Sequence, residues 1–532
     1  MQPPAYNMAY MRINPPIPHL KSSADILSYI YPIIYAFSGY AAAISCDFYV
    51  SHNDFWDTFF IARHIVLQNI CSWYNPFFPI AYNFFLKFIL SPGFPGAPAL
   101  VANLLFSAVL LYIVRHFFRM ALTPAQTLVA LVLLSLFPRM FRYLNAAGAD
   151  PLSMLFFALG ASLICRELIE QKKNERWIMR FAAAGLLMGI GALCRYHILV
   201  AGGFFIVAFW IVYPGWRKRL AVTAAGLLVG YSPQIVLSVL TGHGILSTGY
   251  GLVNIYNLMY HCSWYQTITL QLPSSVMALI ARDPLRFMVH YAKGIAELWM
   301  ILVPPLLSIV VERNRNLRRF CIALFLGIVA YSLFAAISTS ARAPLVMLPF
   351  SGFCAALFVR SLYDSAVRIP IRRMRRISIA LIMAFIAFSG AVFAAHDVLE
   401  IKRWKRAAHT IQSIENFLMH RGVVRVSELF STEFNLYFPS FPPYLPYFNG
   451  GCPRWGTYGF NEEYPELNVA SLDEFIADCR RQGIRFVILN TQGRELLNRF
   501  GDLFDGKAFP SAGIQFVKGF SELRVFEVIP AR

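Results

Sequence analysis

Charge is the scarcest commodity in this chain. Only 14% of its 532 residues are Asp, Glu, Lys or Arg, against roughly 25% in an ordinary soluble domain. With 57% hydrophobic residues and a mean hydropathy of +0.53, a water-soluble enzyme of several domains is excluded. The nine cysteines show neither metal-type nor redox-type spacing; most, such as Cys165, Cys194, Cys321 and Cys354, lie in apolar runs and read as small core residues. Only Cys452 and Cys479 fall in a polar region, where one disulfide is open to them. Internal repeats are absent. The net charge of +19 is not clustered on any soluble face, which excludes nucleic acid as a partner. No alanine-type cleavage site precedes the first apolar run, so the proline-rich segment 1–21 reads as retained rather than as a removable signal.

What the sequence has instead is a series of apolar runs near the length that crosses a bilayer. Eleven candidate spans fall at 26–46, 97–115, 123–138, 150–166, 179–194, 196–214, 219–240, 293–311, 319–338, 343–360 and 377–396. If the N-terminus is cytoplasmic, the short connections on that side hold 20 basic residues, while the longer connections on the other side hold only nine between spans. Positive loops stay inside, so the alternation is self-consistent. The expected organisation is a cytoplasmic N-terminal segment (1–25), an all-helical membrane domain (26–397) and a small external α/β domain (398–532). A bacterial inner membrane fits this layout.

Three long segments then lie outside. The first, 47–96, opens on Ser51-His52-Asn53-Asp54-Phe55-Trp56-Asp57-Thr58 and continues into 59–68, whose pattern predicts a helix lying along the membrane surface, as does 77–90. Two carboxylates among so many aromatics need either water or a task to stay ionised. The second segment, 241–292, is glycine-rich and then polar-aromatic. The third begins near 397. There 406–418 has helical spacing, 423–426, 486–489 and Leu523–Val528 read as strands, and Leu472–Arg481 reads as an amphipathic helix. Residues 434–464 read as an irregular loop. This part lacks a nucleotide-binding glycine loop, a serine elbow and metal-ligand spacing.

Four short motifs resemble those of the GT-C superfamily of integral membrane glycosyltransferases, in the branch of protein O-mannosyltransferases and lipid A aminoarabinose transferases. They are Asp54 with Ala62 eight positions on, followed by the tyrosine/proline stretch 74–82; Ala149-Asp150-Pro151-Leu152 at the fourth span; 191–196, with Arg195 between two spans; and 342–349, opening on Arg342. The likeness covers the layout of most of 26–400. It departs where the family often has Asp-Glu and this chain has Asp54-Phe55, and where Arg-Tyr is replaced by Arg342-Ala343. The Trp-Trp-Asp motif of oligosaccharyltransferases and the sugar-binding repeats of eukaryotic protein O-mannosyltransferases are absent.

The resemblance implies transfer of a sugar from a polyprenyl phosphate donor to an acceptor hydroxyl on a lipid, glycan or protein, at the external membrane face. Inversion at the anomeric carbon needs a base for the acceptor proton and cations for the departing phosphate. Asp54 is the candidate base, set against a solvated loop acid. Asp150 is a second catalytic candidate and equally a helix cap ahead of Pro151. Arg342 and Arg195, basic residues on the side where few occur, are candidates for the donor phosphate, with Arg142 behind them; snorkelling to lipid headgroups is the plain alternative. Asp57, Arg139 and His52 are secondary. Asp54 with Asp150 could hold a divalent cation. A transporter or flippase is the rival class, but its ionisable residues would sit near the midplane of broken helices; a polytopic scaffold is the third. The decisive question is whether Asp54, Asp150, Arg195 and Arg342 line one cavity.

Overall fold

The structure is a computed structural model, and its described residues are 22–46, 58, 62, 65, 66, 68, 70, 71, 79–89, 96–170, 176–242, 248–260, 273–338, 343–425, 428–431, 472–490, 513–521 and 523–530. His52, Asp54, Asp57, Arg342, Cys452, most of the expected surface helix at 59–68 and the loop 434–464 lie outside them.

The helices in chain order are α1 (Ser23–Ile44), α2 (Ile80–Ile89), α3 (Gly96–Phe118), α4 (Pro124–Ser135), α5 (Pro138–Leu144), α6 (Asp150–Glu170), α7 (Trp177–Ala192), α8 (His197–Val212), α9 (Arg217–Leu240), α10 (Thr248–Tyr260), α11 (Val276–Arg282), α12 (Pro284–Glu297), α13 (Trp299–Val311), α14 (Arg315–Ser338), α15 (Leu348–Val367), α16 (Arg372–His420) and α17 (Leu472–Arg481). Among the described residues, seven helices are long and apolar enough to cross a membrane, and nine spans result if each of two bent pairs counts as one. Large apolar side chains such as Phe37, Val229, Phe385 and Phe388 face outward. In water such a belt would be a liability, whereas in lipid it is the expected surface. The chain is an integral membrane protein.

Nine is fewer than the eleven spans expected, and the difference lies in α7 and α8. Each has 16 residues, about 24 Å at 1.5 Å per residue, short of the roughly 30 Å hydrocarbon core. The bent pairs also redraw expected boundaries. Expected span 123–138 is α4 followed, after a 75° bend, by α5, so Arg139 and Arg142 sit on a short helix rather than a loop. Expected span 293–311 begins earlier, as α12 bent by 60° against α13; Asp283 caps α12 by accepting from the Arg286 N–H, and Pro284 occupies its first turn.

At one end of the bundle, acids answer the basic loops. Arg115, almost fully buried, donates to Asp25 at 2.7 Å and Ser28 at 2.8 Å and lies over the Tyr29 ring. Arg180 pairs with Glu167, and Arg360 with Glu312 at 3.2 Å. Helices α7 and α9 approach so closely that a Cβ on Gly189 would meet the Leu227 carbonyl at 2.5 Å, and one on Gly226 the Ala182 carbonyl at 2.5 Å. Small residues let helices in lipid gain packing where the hydrophobic effect offers none.

The last span does not stop at the membrane. Helix α16 is continuous over 49 residues, about 74 Å, and absorbs the separate helix expected at 406–418. Its far end, through Ile411, Ile414 and Leu418, packs on a four-stranded sheet. The strands are β1 (Leu429–Ser431), β2 (Phe486–Asn490), β3 (Ile514–Phe520) and β4 (Leu523–Val528), in the order β1-β2-β4-β3. β1 runs parallel to β2, and the other pairs are antiparallel. Helix α17 and strands β2 and β4 fall where expected. The first strand is at 429–431 instead of 423–426, because Val423 and the chain after it serve as the C-terminal stop of α16. β3 is additional to the strands expected: its alternation is broken by Lys518 at a register shift. Cys479 is a buried thiol whose pKa is pushed up to about 12 by burial.

Candidate active site

The end of the bundle away from the basic loops gathers the motifs that the sequence singled out. Asp150 is the first residue of α6, with Pro151 next, so it opens the helix rather than preceding it as a cap. It is only 3% exposed. Arg195 ends the turn between α7 and α8, which is closed by Cys194 and Arg195 N–H groups donating to the Gly191 carbonyl at 3.0 Å. The guanidinium, 15% exposed, meets the Asp150 carboxylate at 3.4 Å. Two residues 45 apart in sequence thus share one buried ion pair.

Described residues between α1 and α2 lie at the same place. Ala62, eight positions after Asp54, is buried in one apolar cluster with Ala149, Cys194, Tyr82 and Leu86. Helix α2 follows, and its first turn is tied to the Arg195 turn: the Ala81 N–H donates to the Leu193 carbonyl at 2.9 Å. The 3₁₀ turn Ala343–Met347, immediately after Arg342, packs against α6 and α8. Asp54 and Arg342 themselves are outside the described residues.

The two arginine candidates on α5 have other partners. Arg142, 56% exposed at its side chain, faces Glu400 of α16 at 3.4 Å, and Phe141 stacks on Trp404. Arg139 faces Glu297 at 3.6 Å. Both tie α5 to other helices, and the structure does not bring either to Asp150. Among the described residues no group of three His, Cys, Asp or Glu is close enough to hold a metal ion.

Sequence reasoning missed the neutral amides. Asn103, buried in α3, donates to the Ala146 and Gly148 carbonyls at 3.1 and 2.7 Å and so holds the loop that leads into Asp150. Asn145 donates to Tyr35 at 2.6 Å. Among the described residues the Asn83 side-chain oxygen is buried without a hydrogen-bond partner, which leaves acceptor capacity in this region. The available signal was a lone amide in an apolar helix, a costly choice unless it holds something.

Beside these groups an apolar cavity of about 570 Å³ opens between α2 and α9, lined by Ile70, Phe84, Leu193, Pro233, Val236 and Leu237 among others. It adjoins the Arg195 turn through Leu193.

This architecture is the GT-C fold of integral membrane glycosyltransferases. The solved structure of ArnT from Cupriavidus metallidurans bound to undecaprenyl phosphate matches with a TM-score of 0.55 at 12% identity, over 96% of this chain and 99% of that one. The archaeal oligosaccharyltransferase AglB from Archaeoglobus fulgidus, in complex with an inhibitory peptide and a dolichol-phosphate, is similar at a TM-score of 0.48 and 12% identity, over 93% of this chain and 74% of that one. No family model and no curated protein matches the sequence.

Proposed function

We propose that this chain is a glycosyltransferase that moves a sugar from a polyprenyl phosphate donor to an acceptor hydroxyl at the external membrane face, with inversion. The observation that carries the reading is the largely buried Asp150–Arg195 pair, tied to the start of α2 and adjoining an apolar cavity. ArnT, which shares the fold, is bound to undecaprenyl phosphate.

In this mechanism the acceptor oxygen attacks the anomeric carbon as the carbon–oxygen bond to phosphate breaks. The bonding electrons leave on the phosphate, and the acceptor proton passes to Asp54. Arg195 and Arg342 stabilise the charge that grows on the leaving phosphate. In this reading Asp150, 3.4 Å from Arg195, orients it, so that the cation is already in place when charge develops. The apolar cavity takes the isoprenoid units nearest the phosphate, where close packing against Phe84, Leu193 and Val236 supplies van der Waals contact. Arg139 and Arg142 hold α5 against its neighbours through Glu297 and Glu400.

The test is incubation of membranes containing the chain with a panel of radiolabelled polyprenyl phosphate sugars. Label should pass to a lipid, glycan or protein acceptor while free polyprenyl phosphate accumulates. Movement of intact donor across the bilayer, with no transfer from any member of the panel, would instead give the chain to the transporters.

A further inference from the structure

One residue that no motif touches joins the two halves of the candidate site. Gln234 lies in α9 and is fully buried. Its side-chain oxygen accepts from the Ile80 N–H at 3.2 Å, and its amide nitrogen donates to the Tyr196 hydroxyl at 2.7 Å. The orientation of the amide follows from chemistry, since the Ile80 N–H can only donate and must face the oxygen. Ile80 is the first residue of α2, where backbone N–H groups have no partner within the helix. Gln234 therefore caps α2 from another helix.

Its second contact is to the residue after Arg195. Pro233 stands immediately before it in the interior of α9 and lacks an N–H for the Val229 carbonyl, which instead accepts from the Ser232 hydroxyl at 2.8 Å. The close approach of α7 and α9 at Gly189 and Gly226 brings this stretch of α9 to the end of α7. A single amide thus fixes the end of the first external segment against the turn that carries Arg195.

We infer that Gln234 is a positioning residue: it sets Arg195 in register with the start of α2, without touching the donor. This rests on the transferase reading above. Gln234→Met keeps the volume and loses both hydrogen bonds. Because a displacement of about 1 Å at a reacting centre can cost as much as 10²-fold, kcat should fall by about 10- to 100-fold. The donor KM and the binding of undecaprenyl phosphate should stay within about threefold of the parent. Tyr196→Phe cuts one arm only and should lose less. The double variant should be no slower than Gln234→Met alone, because both act through one contact.

Hydrogen–deuterium exchange supplies a readout that does not need activity. In Gln234→Met the start of α2 and the 193–197 turn should lose protection together. Should the parent transfer no sugar from any donor, the transferase reading falls, and exchange still decides whether the staple exists. A change in melting temperature alone, with kcat and exchange as in the parent, would overturn the inference. So would a loss of undecaprenyl phosphate binding as large as that of Arg195→Ala, which would make Gln234 a donor ligand.

Discussion

Helices α6 and α7 carry an acid–arginine pair at each end, and the two pairs are built differently. At the basic end Glu167 meets Arg180, whose side chain is 47% exposed. At the other end Asp150 meets Arg195, and both are largely buried. The first pair resembles its neighbours Asp25–Arg115 and Glu312–Arg360, each joining two helices beneath the basic loops. The second adjoins an apolar cavity through Leu193, and its turn is tied to the first turn of α2. The same chemistry, an arginine against a carboxylate, stands in two settings: a half-exposed tie between helices at one end, and a largely buried pair beside an apolar cavity at the other.

The largest effect that can break this contrast is at Asp54. Asp54→Asn keeps size and most hydrogen-bonding capacity, and loss of a general base costs about 10²–10⁴-fold in rate. Transfer measured with a radiolabelled donor should fall by at least that lower bound, while Asp57→Asn loses less. Glu167→Gln, at the basic end, should leave the rate per folded molecule unchanged. If Asp54→Asn stays active and Asp150→Asn does not, the base has been assigned to the wrong segment.

Next in size is Arg342. Its alanine variant should raise the donor KM by about 10- to 100-fold, since a charge-assisted hydrogen bond is worth about 1.5–3 kcal/mol. Lysine should rescue in part, because charge survives and the bidentate fork does not. Donor dependence equal to the parent's would return Arg342 to anchoring at lipid headgroups.

The helix contact beneath both pairs gives a third test. Gly189→Leu forces a side chain against the Leu227 carbonyl, and overpacking costs about 1–3 kcal/mol or more. Thermal unfolding in detergent should shift down. An unshifted midpoint would mean that α7 and α9 do not meet as closely as described.

The smallest effect lies far from either end. Glu428 is paired with Arg485 at 2.8 Å and accepts from the Val424 and Arg425 N–H groups. Burial raises its carboxyl, but Arg485 and the two N–H groups outweigh burial and hold it below the usual value. A depressed carboxyl stabilises the folded state at pH above the unfolded value of about 4.3, and that contribution disappears as pH falls through the lower folded value. The pair is partly exposed, so the contribution is roughly 0.2–1 kcal/mol. Glu428→Gln should flatten the acid limb of the stability curve by that amount and leave transfer untouched.

Much of this contrast was legible in the sequence. Apolar runs and the basic-loop bias placed nearly every helix, since length and charge are the terms that lipid imposes. Asp150 and Arg195 stood out as charges in scarce supply on the side with few cations. Three things were not legible. The bends at α4–α5 and α12–α13 depend on packing, and Pro138 or Pro284 alone marks only a boundary. The pairing of Arg142 with Glu400 required knowing that α16 runs on unbroken past the membrane. Gln234 and Asn103 have no charge to draw attention, and their roles appear only once distant backbone groups are brought to them.

The proposed transfer requires that the Asp150 end bind a lipid phosphate and that the basic end not do so. Binding of undecaprenyl phosphate to the purified parent, Arg195→Ala and Arg180→Ala is the test. Affinity should weaken about tenfold or more in Arg195→Ala, and stay unchanged in Arg180→Ala even though removing the partner of buried Glu167 lowers its melting temperature. Equal affinities in all three proteins, or a loss confined to Arg180→Ala, would contradict it.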